Sequence, residues 1–377
     1  MPKKNLVIFF GGRSVEHDVS LITGWQAVKN ANPQKYNIIP IYLSQKGEFC
    51  FLNPSSDQKK FFQEISRYQK QGLIDYSTRE IIFKKTSPLS LNKKIKIDVA
   101  FPAFHGTLGE DGSFQGLLEM AGIPYVGSGV LASAIGMNKD FFKKIMSFYQ
   151  IPILPWQTVT QESFTDNFQP RFNYPLIAKP VNLGSSIGVK KVNNRQELKN
   201  ALEVIFNLDC EAMLEPYLEK MSEINCSVLG SKIKQEASVC EQPIPAKDIL
   251  SFEDKYLKGG KKTKAQGMAG LDRKIPAPIS KEQTNLIQNL AKKVFQVCEC
   301  SGVARIDFMI DNKTQKIFVN EINTLPGSLS FYLWQASGMS FQELIDKLVE
   351  IAYQEREEKN HLQRTFTSSI IKHFTKN

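Results

Sequence analysis

GVARIDFMIDNKTQKIFVNEINTLPG, residues 302–327, reads as two strands joined by a hairpin turn. Alternating segments flank Asp311-Asn-Lys-Thr-Gln-Lys316, a composition that favours turns because Asn and Asp side chains bond their own backbone. Side chains two apart on a strand share a face. Arg305 and Asp307 therefore project together from the first strand, and Glu321 and Asn323 from the second. Ile306, Phe308, Ile317 and Val319 include the apolar positions that anchor the ribbon. Three oxygen donors beside one cation suit Mg²⁺, a hard ion that takes one or two carboxylates and completes its shell with water and phosphate oxygens. The plain alternative is a solvated face with a surface ion pair.

Upstream, KPVNLGSSIGV (179–189) joins predicted strands at 175–179 and 187–192 through a Gly/Ser-rich tip. Backbone N–H groups of such a turn can surround phosphate oxygens. It lacks Walker spacing and no helix follows directly, which excludes a P-loop NTPase. Alone it is a hairpin with a flexible tip. With Lys139, Lys179 and the 302–327 hairpin it becomes a candidate ATP clamp between two regions.

The remainder fits an α/β (α+β) protein. Strands are predicted at 6–10, 38–43 and 97–101, with a helix from a Ser20 cap to about Asn30 and a polar, Lys-rich excursion before the third strand. A helix at 112–121 and a strand at 123–126 follow. That rhythm predicts a parallel, Rossmann-like sheet. Next come a helical stretch through Asn138-Lys139-Asp140 and a helix capped by Asn194, with Leu198, Leu202 and Ile205 at helical spacing. Strands at 211–217, 223–229 and 237–242 precede a polar segment, 246–274, too long for a casual connection and predicted to be a lid. A helix from Ser280 to about Cys298 and a closing amphipathic helix at 341–353 complete the chain. The predicted divisions are 1–127, 128–214 and 215–377.

Composition narrows the classes. With 377 residues, 42% hydrophobic and 23% charged, the chain can bury a substantial core in two or three units. The net charge of +10 comes from scattered lysine pairs without a basic tail or aromatic platform, so nucleic-acid binding is not expected. No apolar run is long enough for a secretory signal or membrane span, and a cytoplasmic location is expected. Six cysteines form no zinc set and are expected to be reduced structural thiols.

FFGGRSVEHDVS (9–20) carries a strand into two glycines, as a phosphate turn would, yet follows with Glu16, His17 and Asp18. This motif heads an ordered set: HGTLGEDGSFQG (105–116), YVGSGVLASAIGMNK (125–139), KPVNLGSSIGV, FEDKY (252–256), ARIDF (304–308) and NEINTLPG (320–327). The set resembles the D-alanine–D-alanine ligases of the ATP-grasp superfamily over nearly the whole chain. The resemblance implies a three-region ATP-grasp fold with ATP between the central and C-terminal regions. Lys139 and Lys179 then contact ATP phosphates, Glu215 and Glu223 lie near adenine and ribose, and Ser186, Tyr217 and Leu218 join the nucleotide-binding set. Asp307, Glu321 and Asn323 match ligands of two Mg²⁺ ions, for which Mn²⁺ can substitute; Arg305 and the backbone at Gly327 match the groups that stabilise the tetrahedral intermediate. Glu16 matches the carboxylate that binds the ammonium of the first D-alanine, with Ser185 and Tyr256 as its partners. His105, Lys255, Tyr332 and Leu333 fall at the acceptor side. The implied protein is a homodimer that makes D-alanyl-D-alanine through an acyl phosphate for peptidoglycan precursor synthesis.

Two departures stand out. The lid continues as LKGGKKTKAQGMAGLDRKIPA (257–277), longer and more basic than the family's short form, and Tyr332 falls where many members have a serine that contacts the acceptor carboxylate. By the same resemblance Tyr256 implies D-alanine rather than D-lactate as acceptor, because relatives that make the ester usually differ there, while D-serine stays open. Rival readings are another carboxylate–amine ligase, against which HGTLGEDG and FEDKY count, and a nucleotide-binding protein without ligase activity, against which the intact metal hairpin counts. A dinucleotide oxidoreductase is remote, because GGRSVE lacks that fingerprint's glycine spacing.

Overall fold

The computed structural model describes residues 2–66, 71–75, 77–83, 93–244, 272–363 and 374. Strand β1 (Lys4–Gly11) carries apolar residues on both faces. Leu6, Ile8 and Phe10 enter one core cluster, and Val7 and Phe9 enter another on the opposite face. A strand buried on both sides reads as a continuous apolar run, the mark of a central parallel strand. It pairs in parallel with β2 (Tyr36–Leu43) and β7 (Val99–Pro102), as predicted.

The sheet is larger than the sequence suggested. The Lys-rich excursion contains β3 (Phe49–Phe51), β4 (Gln71–Asp75), β5 (Glu80–Phe83) and β6 (Lys93–Lys96), which add antiparallel strands in the order β6-β5-β4-β3-β2-β1-β7. Each is only three to five residues long, too short to announce itself, and cross-strand pairing makes it a strand. Helix α1 (His17–Asn30) begins four residues earlier than a Ser20 cap implies. Ser20 does not cap it: its hydroxyl accepts from the Gly11 N–H at 2.8 Å and donates to the Ala103 carbonyl at 2.7 Å, tying the helix to two strand ends. After α2 (Gln58–Ser66) and α3 (Ser113–Ala121), the expected 123–126 strand is reduced to one bridge, Ala100 to Tyr125.

The helical stretch around Asn138 is two helices, α4 (Val130–Met137) and α5 (Lys139–Phe148). Asn138 separates them, its side-chain oxygen accepting from the Phe141 N–H at 2.9 Å. A four-stranded antiparallel sheet follows in the order β10-β9-β11-β8, built from β8 (Gln157–Thr160), β9 (Leu176–Pro180), β10 (Lys190–Val192) and β11 (Glu211–Pro216). Helix α6 (Arg195–Phe206) covers it with Leu198, Leu202 and Ile205, capped by Asn194 as expected. Strand β10 starts later than predicted because the chain turns at Ser185, Ser186 and Gly188, all with positive φ.

The third sheet runs β14-β13-β12-β15-β16, from β12 (Met221–Gly230), β13 (Gln235–Pro243), β14 (Arg273–Lys274), β15 (Gly302–Asp311) and β16 (Ile317–Asn323). Helix α7 (Lys281–Val297) starts with a Ser280/Gln283 capping box and packs on this sheet. Most of the expected lid, and with it Lys255 and Tyr256, lies outside the described residues; its end forms β14. After the short α8 (Phe331–Ala336), α9 (Phe341–Asn360) runs seven residues past its predicted end and packs Leu344, Ile345, Leu348 and Val349 into the cluster under β1. The last helix thus closes on the first sheet. All six cysteines are free, five of them buried. No described helix is long and apolar enough to cross a membrane.

Candidate active site

β15 and β16 form the expected antiparallel hairpin. Asp307 lies opposite Glu321 and Arg305 opposite Asn323. The Arg305 guanidinium grips Asp307 through two bonds, Nε to Oδ1 at 2.6 Å and Nη2 to Oδ2 at 2.7 Å, and Asn323 Nδ2 donates to Asp307 Oδ2 at 3.1 Å. Burial opposes the Arg305 charge, but Asp307 and its hydrogen bonds hold that guanidinium protonated, well above its ordinary pKa. Among the described residues no three His, Cys, Asp or Glu side chains cluster as a metal set. Two carboxylates and an amide on one ribbon face nevertheless fit Mg²⁺, which needs few protein ligands and only hard oxygens.

Period two does not hold throughout β16. The register shifts between Asp307 and Phe308, so Asn320 is an extra residue between Val319 and Glu321. A bulge re-aims side chains. Here Asn320 and Glu321 both line one cleft, and Asn320 Oδ1 accepts from Lys179 Nζ at 3.4 Å. Strict alternation places Asn320 on the far face, which is why sequence reasoning missed it.

That cleft lies between the four- and five-stranded sheets. It gathers Lys139, Lys179, Ser186, Glu215, Tyr217, Leu218, Glu223 and Glu321, every nucleotide-site residue expected there, over the apolar side chains of Ile177 and Met309. Lys139 begins α5 and donates to the Leu183 carbonyl in the Gly/Ser loop. Burial lowers the Lys139 pKa, with Glu321 pulling the other way. Glu215, on β11, is gripped by two lysines: Lys179 at 2.6 Å and Lys143 in a shorter contact. Burial alone would raise its pKa, but Lys179 and Lys143 outweigh burial and bring it down to about 2. Lys143 was not anticipated. It is completely buried and also donates to the Leu154 carbonyl at 3.0 Å. A lysine on an amphipathic helix gives no local sign that its partner lies on a strand 72 residues away.

The N-terminal loop meets this cleft at Glu16. Ser185 donates to Glu16 Oε1 from the Gly/Ser loop. Side chains are missing where the loops come closest: a Cβ on Gly184 would lie 3.1 Å from Glu16 Oε2, and one on Gly106, at φ +79°, 3.0 Å from it. His105 is buried rather than open. Its Nε2 lies 2.8 Å from Thr23 Oγ1, which accepts from the Ser328 N–H at 3.3 Å, and its Nδ1 lies 3.4 Å from Glu110. His105 therefore joins the Glu16 loop to the turn that begins at Gly327.

That turn is unusual. Ser328, Leu329 and Ser330 all adopt left-handed φ values of 54°, 54° and 50°, and all are buried. Such residues cost about 1–2 kcal/mol each, and no glycine in the run announces them. Beyond the turn, Leu333 is buried in the described structure, while Tyr332 is half-buried and donates to Glu241 at 3.1 Å. Burial and Glu241 raise the Tyr332 phenol pKa, so the ring remains a donor.

Residues 5–128 match the family described as the D-ala D-ala ligase N-terminus, and residues 145–350 match the D-ala D-ala ligase C-terminus. The chain belongs to the D-alanine–D-alanine ligase family. The D-alanine–D-alanine ligase of Thermosipho melanesiensis is 38% identical over 362 residues, covering 94% of this chain and 95% of that one. The D-alanine–D-alanine ligase structure from Coxiella burnetii superposes with a TM-score of 0.80 at 27% identity, covering all of both chains. The VanG D-Ala:D-Ser ligase of Enterococcus faecalis gives a TM-score of 0.78 at 29% identity, covering 93% of this chain and 100% of that one. The fold is accordingly the ATP-grasp fold of these ligases. In this ligase-family member, sequence reasoning passed over Asn320 in the cleft, Lys143 behind Glu215 and the left-handed turn that Thr23 ties to His105.

Proposed function

We propose that the chain joins two D-alanine molecules into D-alanyl-D-alanine at the expense of ATP, supplying peptidoglycan precursors. The observation that carries this reading is the Ser185–Glu16 contact, which brings the amine-recognising loop to the mouth of a cleft lined by Lys139, Lys179 and Glu321. The carboxylate of the first D-alanine takes the γ-phosphoryl group of ATP, and ADP leaves. The amine of the second then attacks the acyl carbon, loses a proton and expels phosphate as the amide forms. Glu16 would hold the first ammonium, Lys139 and Lys179 would offset phosphate charge, and Arg305 with the Gly327 backbone would face the developing oxyanion. Asp307, Glu321 and Asn323 would hold Mg²⁺, which would supply charge neutralisation for the phosphate groups.

We take 1–127, 128–214 and 215–377 as the working regions, and Lys255 and Tyr256 as lid residues that exclude water from the acyl phosphate. The need for ATP places the reaction in the cytoplasm, and we propose a homodimer. The deciding assay measures ADP and dipeptide from ATP, Mg²⁺ and D-alanine, alone and with D-serine or D-lactate. D-alanyl-D-alanine should dominate; ADP release that ignores D-amino acids would overturn the reading.

Glu16→Gln should raise the apparent KM for the first D-alanine by about 10- to 100-fold, the equivalent of losing a charged hydrogen bond. The effect on kcat should be smaller. Steady-state kinetics with both D-alanine sites resolved checks this, and an unchanged first KM would remove the amine-binding role from Glu16.

A further inference from the structure

A buried carboxylate outside the assigned residues extends the metal-side row. Glu241 on β13 lies opposite Asn225 on β12; Asn225 lies opposite Asp307, and Asp307 opposite Glu321. Residues directly opposite one another in antiparallel strands share a face, so the four form one polar row across four strands. Glu241 is wholly buried at the end of that row. It accepts from Asn225 Nδ2 at 3.1 Å, from the Tyr332 hydroxyl at 3.1 Å and from Arg273 Nη1 at 2.6 Å. The Arg273 guanidinium also lies 3.8 Å from the centre of the Tyr332 ring.

A carboxylate only accepts, and a phenol has one proton to donate. Glu241 therefore commits the Tyr332 hydroxyl, leaving the half-buried ring as a fixed wall under Arg273. A buried ion pair is poor value for stability alone, since apolar replacements are often neutral or better. This pair stands where the row of Asp307 and Glu321 meets Tyr332, the residue that the family resemblance puts on the acceptor side, and Tyr332 and Glu241 both act electrostatically on Arg305.

We propose that Glu241 is a positioning residue for the second half of the reaction. By holding Tyr332 and Arg273 beside Arg305, it favours attack of the acceptor amine on the acyl phosphate and has little part in forming that intermediate. The proposal rests on the ligase reading above.

The two halves can be measured separately in the full-length protein. With ATP labelled by ¹⁸O at the β,γ-bridge, D-alanine-dependent scrambling of the label reports reversible acyl-phosphate formation, and dipeptide release reports the whole reaction. In Glu241→Gln, scrambling should stay within about twofold of wild type, while kcat/KM for the second D-alanine should fall about 10- to 100-fold. Glu241→Asp should recover part of that loss. If scrambling and dipeptide formation fall together, or neither changes, the positioning role is overturned. Should Glu241→Gln fail to fold by thermal melting, Tyr332→Phe carries the same test: the split should persist without the phenol proton, and wild-type behaviour would overturn the proposal. A wild type that neither scrambles label nor forms dipeptide would overturn the ligase reading and the positioning role with it.

Discussion

Glu321→Gln should lower turnover by on the order of 10²- to 10³-fold, the range found when one electrostatic group is removed from a transition state, while the melting temperature barely moves. Two placements support this. Glu321 lies opposite Asp307, whose carboxylate is already gripped by Arg305, so Glu321 brings the second negative charge to the ribbon face. It also lines the cleft with Lys139 and Lys179. Glutamine keeps the shape and one oxygen but removes the charge that a divalent cation needs. Two measurements test it: steady-state turnover, and Mn²⁺ affinity in the presence of ATP by paramagnetic resonance. Turnover close to wild type, or Mn²⁺ affinity unaffected by the change, would remove Glu321 from the metal site.

The parts of this molecule legible in its sequence are those that local rules specify. The apolar run of β1, the Asn194 and Ser280 caps and the shared face of Arg305 and Asp307 each follow from neighbours within a few residues. What escaped depends on contacts distant in sequence. Strands β3 to β6 exist because they pair with one another, and Asn320 reaches the cleft because a bulge breaks the alternation. Ser20 satisfies the local rule for a cap, yet its hydroxyl is taken by Gly11 and Ala103 once the sheet assembles. Lys143 and Glu241 are ordinary charged residues in sequence; only the folded chain places each against a buried opposite charge. The family resemblance named candidate residues for the chemistry, whereas the groups that hold those residues in place required the fold.

Those supporting groups should dominate stability, and Glu215 gives the clearest case. In Glu215→Gln, Lys143 and Lys179 would share a buried pocket without a counter-charge, and stability at neutral pH should fall by about 3 kcal/mol. The wild-type carboxyl sits at about 2 in the folded protein against an ordinary 4.5. A depressed pKa contributes stability above the unfolded value and loses it as pH falls through the folded one. The gap between wild type and Glu215→Gln should therefore be full above about pH 4.5 and close as pH falls towards about 2. Lys143 does not gain in the same way. Its own burial pushes its pKa down, with Glu215 opposing that and Lys179 adding to it, so the carboxylate is the member whose charge the site favours. Lys143→Met would leave one carboxylate facing one lysine and should cost less, within about 1–2 kcal/mol. Urea unfolding of both variants at neutral pH and at pH 3 separates these outcomes. A gap for Glu215→Gln that stays constant with pH, or a larger loss in Lys143→Met, would mean that the two lysines are not held together by this carboxylate.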